Sequence, residues 1–221
     1  MTTWAARVKL RSPAQSFSFS GTMCSMAAAL PYAIGAQAAH PDRQVVAFTG
    51  DGSLTMMMGD LATLAQEELP VKVLVIRNDV LGLIKWEQMA FLGNPQYGVE
   101  LATVDFAKVA EGCGIRGVRI TEPGSCRDQL AAALGQPGPA LIEAVVDPHE
   151  MPMTPTINPD HAKKLAIGMA RGEPNRKRIA LTMSRTLAEE MTYSASPAGT
   201  LARAKERVAE AVGSGGDGDR G

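Results

Sequence analysis

The sequence predicts an α/β fold, a doubly wound parallel sheet with helices on both faces, followed by a C-terminal extended arm and a disordered tail. Short apolar runs of strand length recur between residues 44 and 146, which is typical of parallel strands buried on both faces. Segments with apolar residues at helical spacing separate these runs, and this alternation is typical of a parallel sheet with crossover helices. Hydrophobic residues make up 45% of the 221 residues, so the composition favours a packed core over a disordered chain.

Four runs are predicted to be the strands of the sheet. They lie at residues 44–49, 71–76, 115–120 and 139–146. The first run, QVVAFT, leads directly into a Gly-Asp-Gly turn, and VKVLVI and PALIEAVV have the same apolar character. The third candidate is IRGVRI.

The predicted helices have recognisable ends. They cover most of residues 21–40, residues 54–65, 105–111 and 125–134, and residues 160–191 are helical in composition. Pro31 is compatible with the first turn of the first helix or with a kink. Ser53 is a candidate N-cap for the second helix, and Pro70 ends that segment. Asp105 is expected to cap the third helix and Gly112 to stop it.

The chain is predicted to have four parts. They are a linker at residues 1–19, the α/β domain at 20–148, a C-terminal arm at 149–191 and a disordered tail at 192–221. Four prolines in residues 148–159 favour an extended start of the arm. From Thr192 onward there are six glycines and no Phe, Ile, Trp or Met, too little apolar surface to favour folding.

Charge and cysteine usage exclude several classes of protein. With 22 Lys and Arg against 23 Asp and Glu, the net charge of −1 argues against nucleic-acid binding through bulk charge. No apolar run reaches the roughly 18 residues that a transmembrane helix needs. The three cysteines form no Cys-x-x-Cys pair and the three histidines lack metal-ligand spacing, which argues against a disulfide scaffold and a zinc site. We expect a cytoplasmic protein.

The motif with chemical content is Gly50-Asp51-Gly52-Ser53, which follows a strand and opens a helix. Glycines let a phosphate approach the backbone, and helix N-termini offer free N–H groups to anions. The Asp51 carboxylate would repel a phosphate unless a cation such as Mg²⁺ lies between them. Alone, Gly-Asp-Gly is more often an ordinary turn.

A second polar residue strengthens this interpretation. Asn78 follows the next predicted strand, 27 positions after Asp51. Because neighbouring parallel strands end at the same edge of a sheet, both side chains can reach one cation. The alternative is that Asn78 is simply a turn residue before Asp79.

These motifs resemble a known family, the thiamine-diphosphate-dependent enzymes. GDGS and then RNDVLG are similar to the family's diphosphate-binding motif, and CSMAAALPYAIGAQ to the segment that holds the aminopyrimidine. LGLIKWEQ, YGVELATVDFAKVAEGCGI, PTINPDHAKKL and PNRKRIALT resemble the pyruvate oxidases, quinone-dependent pyruvate dehydrogenases and acetolactate synthases. The resemblance covers roughly residues 3–190 and implies binding of thiamine diphosphate and Mg²⁺.

The resemblance assigns roles by position. It implies that Mg²⁺ is held by the side chains of Asp51 and Asn78 and by the backbone carbonyl of Val80. It places the cofactor's diphosphate on the glycine-rich turn at Gly50, Gly52 and Ser53. Arg77 stands where the family has the first Asn of an Asn-Asn pair, which leaves the metal ligand in place.

The resemblance also implies contacts with the two rings of the cofactor. Met26 matches the apolar residue that supports the bent cofactor, although from the residues alone it reads as a core methionine. Leu81, Leu83 and Ile84 match the apolar surroundings of the thiazolium ring. Glu87 matches an active-site glutamate of pyruvate oxidases, and a surface glutamate is the alternative.

Cys24 is a departure from the family pattern. It stands where the family usually has glycine, whose carbonyl contacts the 4′-amino group of the cofactor. Any residue can supply that carbonyl, but a side chain adds bulk.

The implied reaction is decarboxylation of a small 2-oxo acid by an enzyme of pyruvate oxidase type. In the family a pyrimidine-binding domain and a middle domain precede this one, so we expect a chain that is incomplete without a pyrimidine-domain chain or a homo-oligomeric partner. FAD is expected only through those other domains. The alternatives are an acetolactate-synthase-type carboligase fragment, a cofactor-binding module without activity, and a generic doubly wound nucleotide-binding protein.

Overall fold

The computed structural model describes residue 10 and residues 12–150 and 159–195, which form two compact units. The first contains the described residues up to 148 together with 159–173, and the second contains 149–150 and 174–195. Within these described ranges, no helix combines the length and the apolar character that crossing a membrane requires.

A parallel sheet of four strands forms the centre of the first unit. The strands are β1 (Val46–Gly50), β2 (Lys72–Arg77), β3 (Arg116–Ile120) and β4 (Ala140–Val145). Their spatial order is β1-β2-β4-β3, and all three pairings are parallel. Gly50 pairs with Ile76 and Arg77 with Val145, so the carboxyl ends of β1, β2 and β4 meet at one edge. This confirms the predicted fold class.

Helices precede, connect and follow the strands. In the first unit they are α1 (Ala29–Ala39), α2 (Asp51–Leu54), α3 (Leu61–Gln66), α4 (Gly82–Trp86), α5 (Phe106–Gly112), α6 (Cys126–Gly135) and α7 (Pro159–Ala170). The second unit contains α8 (Arg176–Ala195). Short 3₁₀ turns cover Met26–Ala28, Met58–Asp60 and Pro123–Ser125, and a π-helical turn covers Glu87–Phe91.

Apolar side chains fill both faces of the sheet. Successive strand residues point to opposite faces, so Val73 and Val75 of β2 lie on one side and Leu74 on the other. The larger cluster joins Val73 and Val75 to residues of the helices α1, α3 and α5, including Leu30, Leu61, Leu64 and Phe106. The smaller cluster joins Leu74 to residues of α6, including Leu130 and Ala133. Helices therefore cover both faces, as the sequence predicted.

The close packing of α5 on β3 depends on Gly117. A β-carbon at that position would lie 2.1 Å from the backbone oxygen of Ala107 in α5. A carbon and an oxygen that are not bonded to each other cannot lie this close. Only glycine therefore lets the helix backbone approach the strand to this extent.

The predicted helix over residues 54–65 is wrong in its continuity. The chain is helical from Asp51 to Leu54 and helical again only from Leu61. The Thr55 hydroxyl donates to the Gly52 carbonyl at 3.0 Å, and Met57 and the following residues make i to i+3 bonds. These local bonds replace the α-helical pattern. Ser53 therefore lies inside α2, and Gly50 occupies the N-cap position.

Two helix-end predictions are confirmed. Pro31 lies in the first turn of α1, where a missing N–H leaves no bond unmade. Asp105 is the N-cap of α5, and its side chain accepts a hydrogen bond of 3.0 Å from the Lys108 N–H.

The C-terminal region is helical where it is described. Both α7 and α8 fall in the predicted arm, and α8 continues to Ala195, past the predicted start of the tail at Thr192. Most of the stretch predicted to be extended, residues 151–158, and the tail from residue 196 lie outside the described residues. The domain limits at residues 19, 148 and 191 remain predictions.

Candidate functional site

The Asp51 carboxylate joins the ends of two neighbouring strands. Asp51 follows β1 directly and is only 6% exposed. Its Oδ2 accepts hydrogen bonds from the backbone N–H groups of Asn78, at 2.9 Å, and Asp79, at 2.7 Å. Its Oδ1 accepts one from the Gly52 N–H at 2.7 Å. The predicted proximity of Asp51 to the Asn78 turn is confirmed, and the contact runs through the backbone of that turn.

The Asn78 side chain stays within its own turn. Its Oδ1 accepts a hydrogen bond of 3.2 Å from the Val80 N–H. Its Nδ2 would lie 3.3 Å from a β-carbon on Gly82, so α4 begins against the amide group. Beyond Asn78, Val80 forms an isolated antiparallel bridge with Glu100, which holds the turn from the other side.

The donor set at this edge suits a hard divalent cation. A carboxylate, an amide oxygen and a backbone carbonyl are oxygen ligands, and Mg²⁺ takes one or two protein groups together with phosphate and water oxygens. Each carboxylate oxygen accepts up to two bonds, so Asp51 Oδ1 keeps capacity for a cation beside the Gly52 N–H. Within the described part of the chain, no cluster of three or more His, Cys, Asp or Glu could hold a metal ion. The oxygens of Asp51, Asn78 and Val80 remain the predicted ligands, and the Val80 carbonyl already accepts a hydrogen bond of 2.8 Å from the Gly82 N–H.

Gly52 lies in a narrow apolar cradle. A β-carbon there would lie 3.0 Å from Leu101 Cδ1, 3.1 Å from Leu81 Cδ2 and 3.8 Å from Met26 Cε. The structure thus brings Met26 and Leu81 to the glycine of the motif. Leu101 completes the cradle. It lies in the segment YGVELATVDFAKVAEGCGI that resembles the family, but sequence reasoning assigned it no role because nothing local distinguishes it from other apolar residues.

The backbone donors of the motif have the following partners. The Gly52 N–H, which the resemblance matches to a diphosphate donor, donates to Asp51 Oδ1. Gly50 pairs in the sheet as the last residue of β1, and Ser53 follows in the first turn of α2. The role of each as a phosphate donor remains a prediction.

The helix α4 and the π-helical turn present three of the predicted residues together. Leu83 is 56% and Ile84 44% exposed, and Glu87 is also exposed. Three- and four-residue spacing puts Glu87 on the same face as Leu83 and Ile84. Glu87 begins the π-helical turn, a local irregularity that is frequent at functional sites. Its catalytic role remains a prediction.

The buried Lys85 anchors this helix. Its Nζ donates to the Pro148 carbonyl at 2.9 Å and lies 5.1 Å from the centre of the Trp86 ring. Burial lowers the pKa of the amine, against the opposing field of Glu173, Asp147 and Glu100. Lys85 therefore fixes the inner side of α4 while Leu83 and Ile84 face outward.

Cys24 has a backbone conformation that favours glycine. Its φ of 49° lies in the left-handed region, and its side chain is exposed. Cys24 therefore has the left-handed backbone conformation that glycine, the usual residue of the family here, adopts without strain. Met26, two residues later, is 44% exposed, so it is not the core methionine that its residue type suggests.

Residues 1–144 match the family described as thiamine pyrophosphate enzyme, C-terminal TPP binding domain. Thiamine pyrophosphate and thiamine diphosphate are the same compound. The chain belongs to this family. Membership confirms the resemblance found in the sequence and shows that the chain is a thiamine-diphosphate-binding domain.

Curated relatives extend the comparison. Acetolactate synthase 2 from Nicotiana tabacum is 37% identical over 69% of this chain and 24% of its own length. Acetolactate synthase isozyme 1 large subunit from Escherichia coli is 34% identical over 75% of this chain and 29% of its own. Protein YdaP of Bacillus subtilis, whose name includes the words thiamine pyrophosphate-containing, is 34% identical over 74% and 28%. The chain spans about a quarter of the length of these relatives.

Proposed function

We propose that this chain binds thiamine diphosphate together with Mg²⁺ and serves an enzyme of pyruvate oxidase type that decarboxylates a small 2-oxo acid. The observation that supports this most directly is the Asp51 carboxylate, buried at the sheet edge and bonded to the amides of the Asn78 turn. This contact brings the carboxylate after one strand and the amide residue after the next strand to the same edge of the sheet. Open α/β sheets bind ligands in the crevice at that edge.

In this proposal the cation is held by Asp51, Asn78 and the Val80 carbonyl. The cation offsets the charge of Asp51 and presents a positive site to the diphosphate. Since the Gly52 N–H is engaged by Asp51, the groups that would hold the diphosphate are the cation and the next amide, that of Ser53. The absence of a side chain at Gly52 keeps the cradle open for the ligand.

The apolar residues of the site have a separate role. Met26, Leu81 and Leu101 surround Gly52, and Leu83 and Ile84 face outward from α4. With the cofactor in place they exclude water from its reacting ring, which strengthens electrostatic interactions there. The bound cofactor supplies a nucleophilic carbon and accepts the electrons released when CO₂ leaves. Glu87 lies on the same helix face and is the residue that we propose to move a proton at the substrate.

We further propose that the site is completed by a pyrimidine-binding domain, from another chain or from a second copy. Exposed apolar side chains at Met26, Leu83 and Ile84 support this, since a closing domain would cover them. Any flavin would be bound by other domains, and we propose a cytoplasmic location.

A second candidate, acetolactate-synthase-type carboligation, is favoured by the names of the relatives. The two reactions share decarboxylation and differ in what receives the two-carbon fragment. With pyruvate as substrate, acetolactate as the product would favour carboligation, and reduction of an added electron acceptor would favour the oxidase type. A third outcome, cofactor binding without turnover by any assembly, would favour a binding module.

The test is calorimetric titration of the full chain with thiamine diphosphate, with and without Mg²⁺. Asn78→Ala is the sharpest variant because, among the described residues, its side chain makes a single hydrogen bond, of 3.2 Å, within the turn. We expect it to lower Mg²⁺-dependent affinity at least about tenfold, as does loss of a metal ligand or its support. Asp51→Ala should lower it further but also removes the acceptor of three backbone N–H groups.

Asn94→Ala is the matched control, since it removes the same amide from an exposed position whose Oδ1 accepts a bond from Arg171. It should leave cofactor affinity unchanged. Equal binding by the wild type with and without Mg²⁺ would contradict the proposed cation site.

A further inference from the structure

Asp79 is held through each of its polar groups. Its N–H donates to Asp51 Oδ2 at 2.7 Å, and its carbonyl accepts from the Leu101 N–H at 3.0 Å. Its carboxylate accepts a hydrogen bond of 3.0 Å from the Thr103 hydroxyl through Oδ2, and Oδ1 lies 3.4 Å from Arg77 Nε. The residue has a φ of 54°, a left-handed conformation that Asp tolerates better than most residues. These contacts fix a strained residue directly after the ligand Asn78.

Arg77 connects Asp79 to the interior of the sheet. Its guanidinium pairs through Nη1 with Glu143, a residue of β4 with a fully buried side chain. The same Nη1 lies 3.4 Å from the Val104 carbonyl, and Nε faces Asp79. A buried carboxylate needs such partners, so Glu143 holds the guanidinium in place. Glu143 on β4 therefore orients Arg77, and Arg77 in turn orients Asp79.

A second arginine pairs with Glu143 and with an aspartate of its own. It differs from Arg77, whose Nε makes an ion pair with Asp79 at 3.4 Å but no hydrogen bond among the described residues. Arg119 Nε donates to Glu143 Oε2 at 3.0 Å, and Arg119 Nη2 pairs with Asp105, the N-cap of α5. One buried glutamate thus supports two arginine–aspartate pairs. The Arg77–Asp79 pair leads to the candidate cation site, and the Arg119–Asp105 pair leads to a helix end.

We propose that Arg77 and Asp79 are positioning residues for the cation site, an inference that rests on the proposed function. They act through Asp51 and Asn78: the pair holds the Asp79 amide against Asp51 Oδ2, and this fixes both the carboxylate and the turn that carries Asn78. The departure at Arg77 from the family's asparagine is then functional in this chain. Loosening the pair weakens Mg²⁺ binding without removing any ligand.

The experiment measures the Mg²⁺ concentration needed for half-maximal binding of thiamine diphosphate by the full chain. Asp79→Asn removes the charge that faces Arg77 but keeps the side-chain shape and the tolerance for left-handed φ. We expect that concentration to rise about tenfold, the lower end of losses seen when residues that support metal ligands are changed. Arg77→Gln should have the same effect, and Arg77→Gln combined with Asp79→Asn should be no worse than the stronger single variant, because the two act as one unit.

Asp105→Asn is the matched control. It breaks the equivalent pair with Arg119 beside the same glutamate but does not touch the Asn78 turn. Both Asp→Asn variants should lower thermal stability, and only Asp79→Asn should change the Mg²⁺ requirement. Hydrogen exchange of the ligand-free chain gives a second readout: the amides of Asn78 and Asp79 should exchange faster in Asp79→Asn and unchanged in Asp105→Asn.

The outcomes separate this inference from the proposed function. A wild-type chain without Mg²⁺-dependent binding would overturn the proposed function, and this inference with it. A wild type that binds with Mg²⁺ and an Asp79→Asn variant with the same Mg²⁺ requirement would overturn this inference alone. If Arg77→Gln fails to fold because it leaves Glu143 short of a partner, Asp79→Asn still decides the matter, since the Arg77–Glu143 pair stays intact in it.

Discussion

Asn78 donates its backbone N–H to Asp51 Oδ2 at 2.9 Å across a separation of 27 residues. The bond joins the ends of β1 and β2, so the side chain of Asp51 is oriented by a turn from the next strand. If Asp51 is a cation ligand, as we propose, a carboxylate fixed in this way needs little reorganisation on binding, which favours affinity.

Gly52→Ala should weaken thiamine diphosphate binding much more than it changes stability. The added methyl group meets the ends of two flexible side chains, Leu101 and Leu81, at 3.0 and 3.1 Å, and these can move aside into the space of the ligand. We expect at least about a tenfold loss of affinity by calorimetry and a change in unfolding free energy within about 1 kcal/mol. Gly59→Ala, where a β-carbon meets nothing within 4 Å, should alter neither quantity.

Gly117→Ala should destabilise the fold itself. The β-carbon would lie 2.1 Å from the Ala107 carbonyl oxygen, and backbone atoms cannot give way as side chains do. Urea unfolding should show a loss of about 3 kcal/mol or failure to fold, at the upper end of overpacking effects. Gly124→Ala has open space around the new β-carbon and should be neutral. A stable Gly117→Ala variant would contradict the close approach of α5 to β3.

The charge on Asp105 should contribute to the acid sensitivity of the fold. The hydrogen bond with Arg119, followed by that from the Lys108 N–H, lowers the pKa of Asp105 from 3.8 to about 2. Because this pKa is depressed in the folded state, the stabilisation is present above about pH 4 and is lost as the pH falls toward 2. Asp105→Asn keeps a good N-cap residue and should make unfolding free energy less dependent on pH between 2 and 4.

Glu87→Gln should reduce turnover without reducing cofactor affinity. The side chain is exposed on the face shared with Leu83 and Ile84 and is not among the proposed Mg²⁺ ligands. Loss of a proton-transferring group lowers turnover by about 10²- to 10⁴-fold. The measurement is pyruvate decarboxylation with Mg²⁺, thiamine diphosphate and a pyrimidine-domain chain. Glu111→Gln, exposed on α5, is the control, and the chain without the second domain should be inactive. Robust turnover by the chain alone would refute the need for that domain.

The apolar residues of α4 should make the isolated chain self-associate. Leu83 is 56% and Ile84 44% exposed, and contiguous exposed apolar surface promotes association. Replacing both with serine should shift sedimentation of the chain toward the monomer. Leu181→Ser, at a position 63% exposed on α8, serves as the control and should change sedimentation less. Self-association that persists in the double variant would assign it to another surface.

Local sequence determined the strands and the positions of the two motif residues. Short apolar runs such as that of β2 are stable only when buried, and parallel strands must end at a common edge. The sequence alone therefore predicts that Asp51 and Asn78 lie close together. The N-cap at Asp105 followed in the same way, because its side chain satisfies a free N–H one turn away, an interaction that depends only on neighbouring residues.

Tertiary structure alone decided how these residues meet. Asp51 bonds to the backbone of the Asn78 turn, and Leu101 closes the cradle of Gly52, through contacts between segments that no local pattern connects. The same holds for Arg77. In the sequence it is a departure from a motif that leaves the ligand Asn78 in place, and only the pairing of β4 with β2 brings Glu143 beside it. The break after Leu54 was missed because helical spacing of apolar residues persists through a turn held by side-chain and i to i+3 bonds. Pattern and propensity act over a few residues, whereas these contacts depend on which strands pair and in which register.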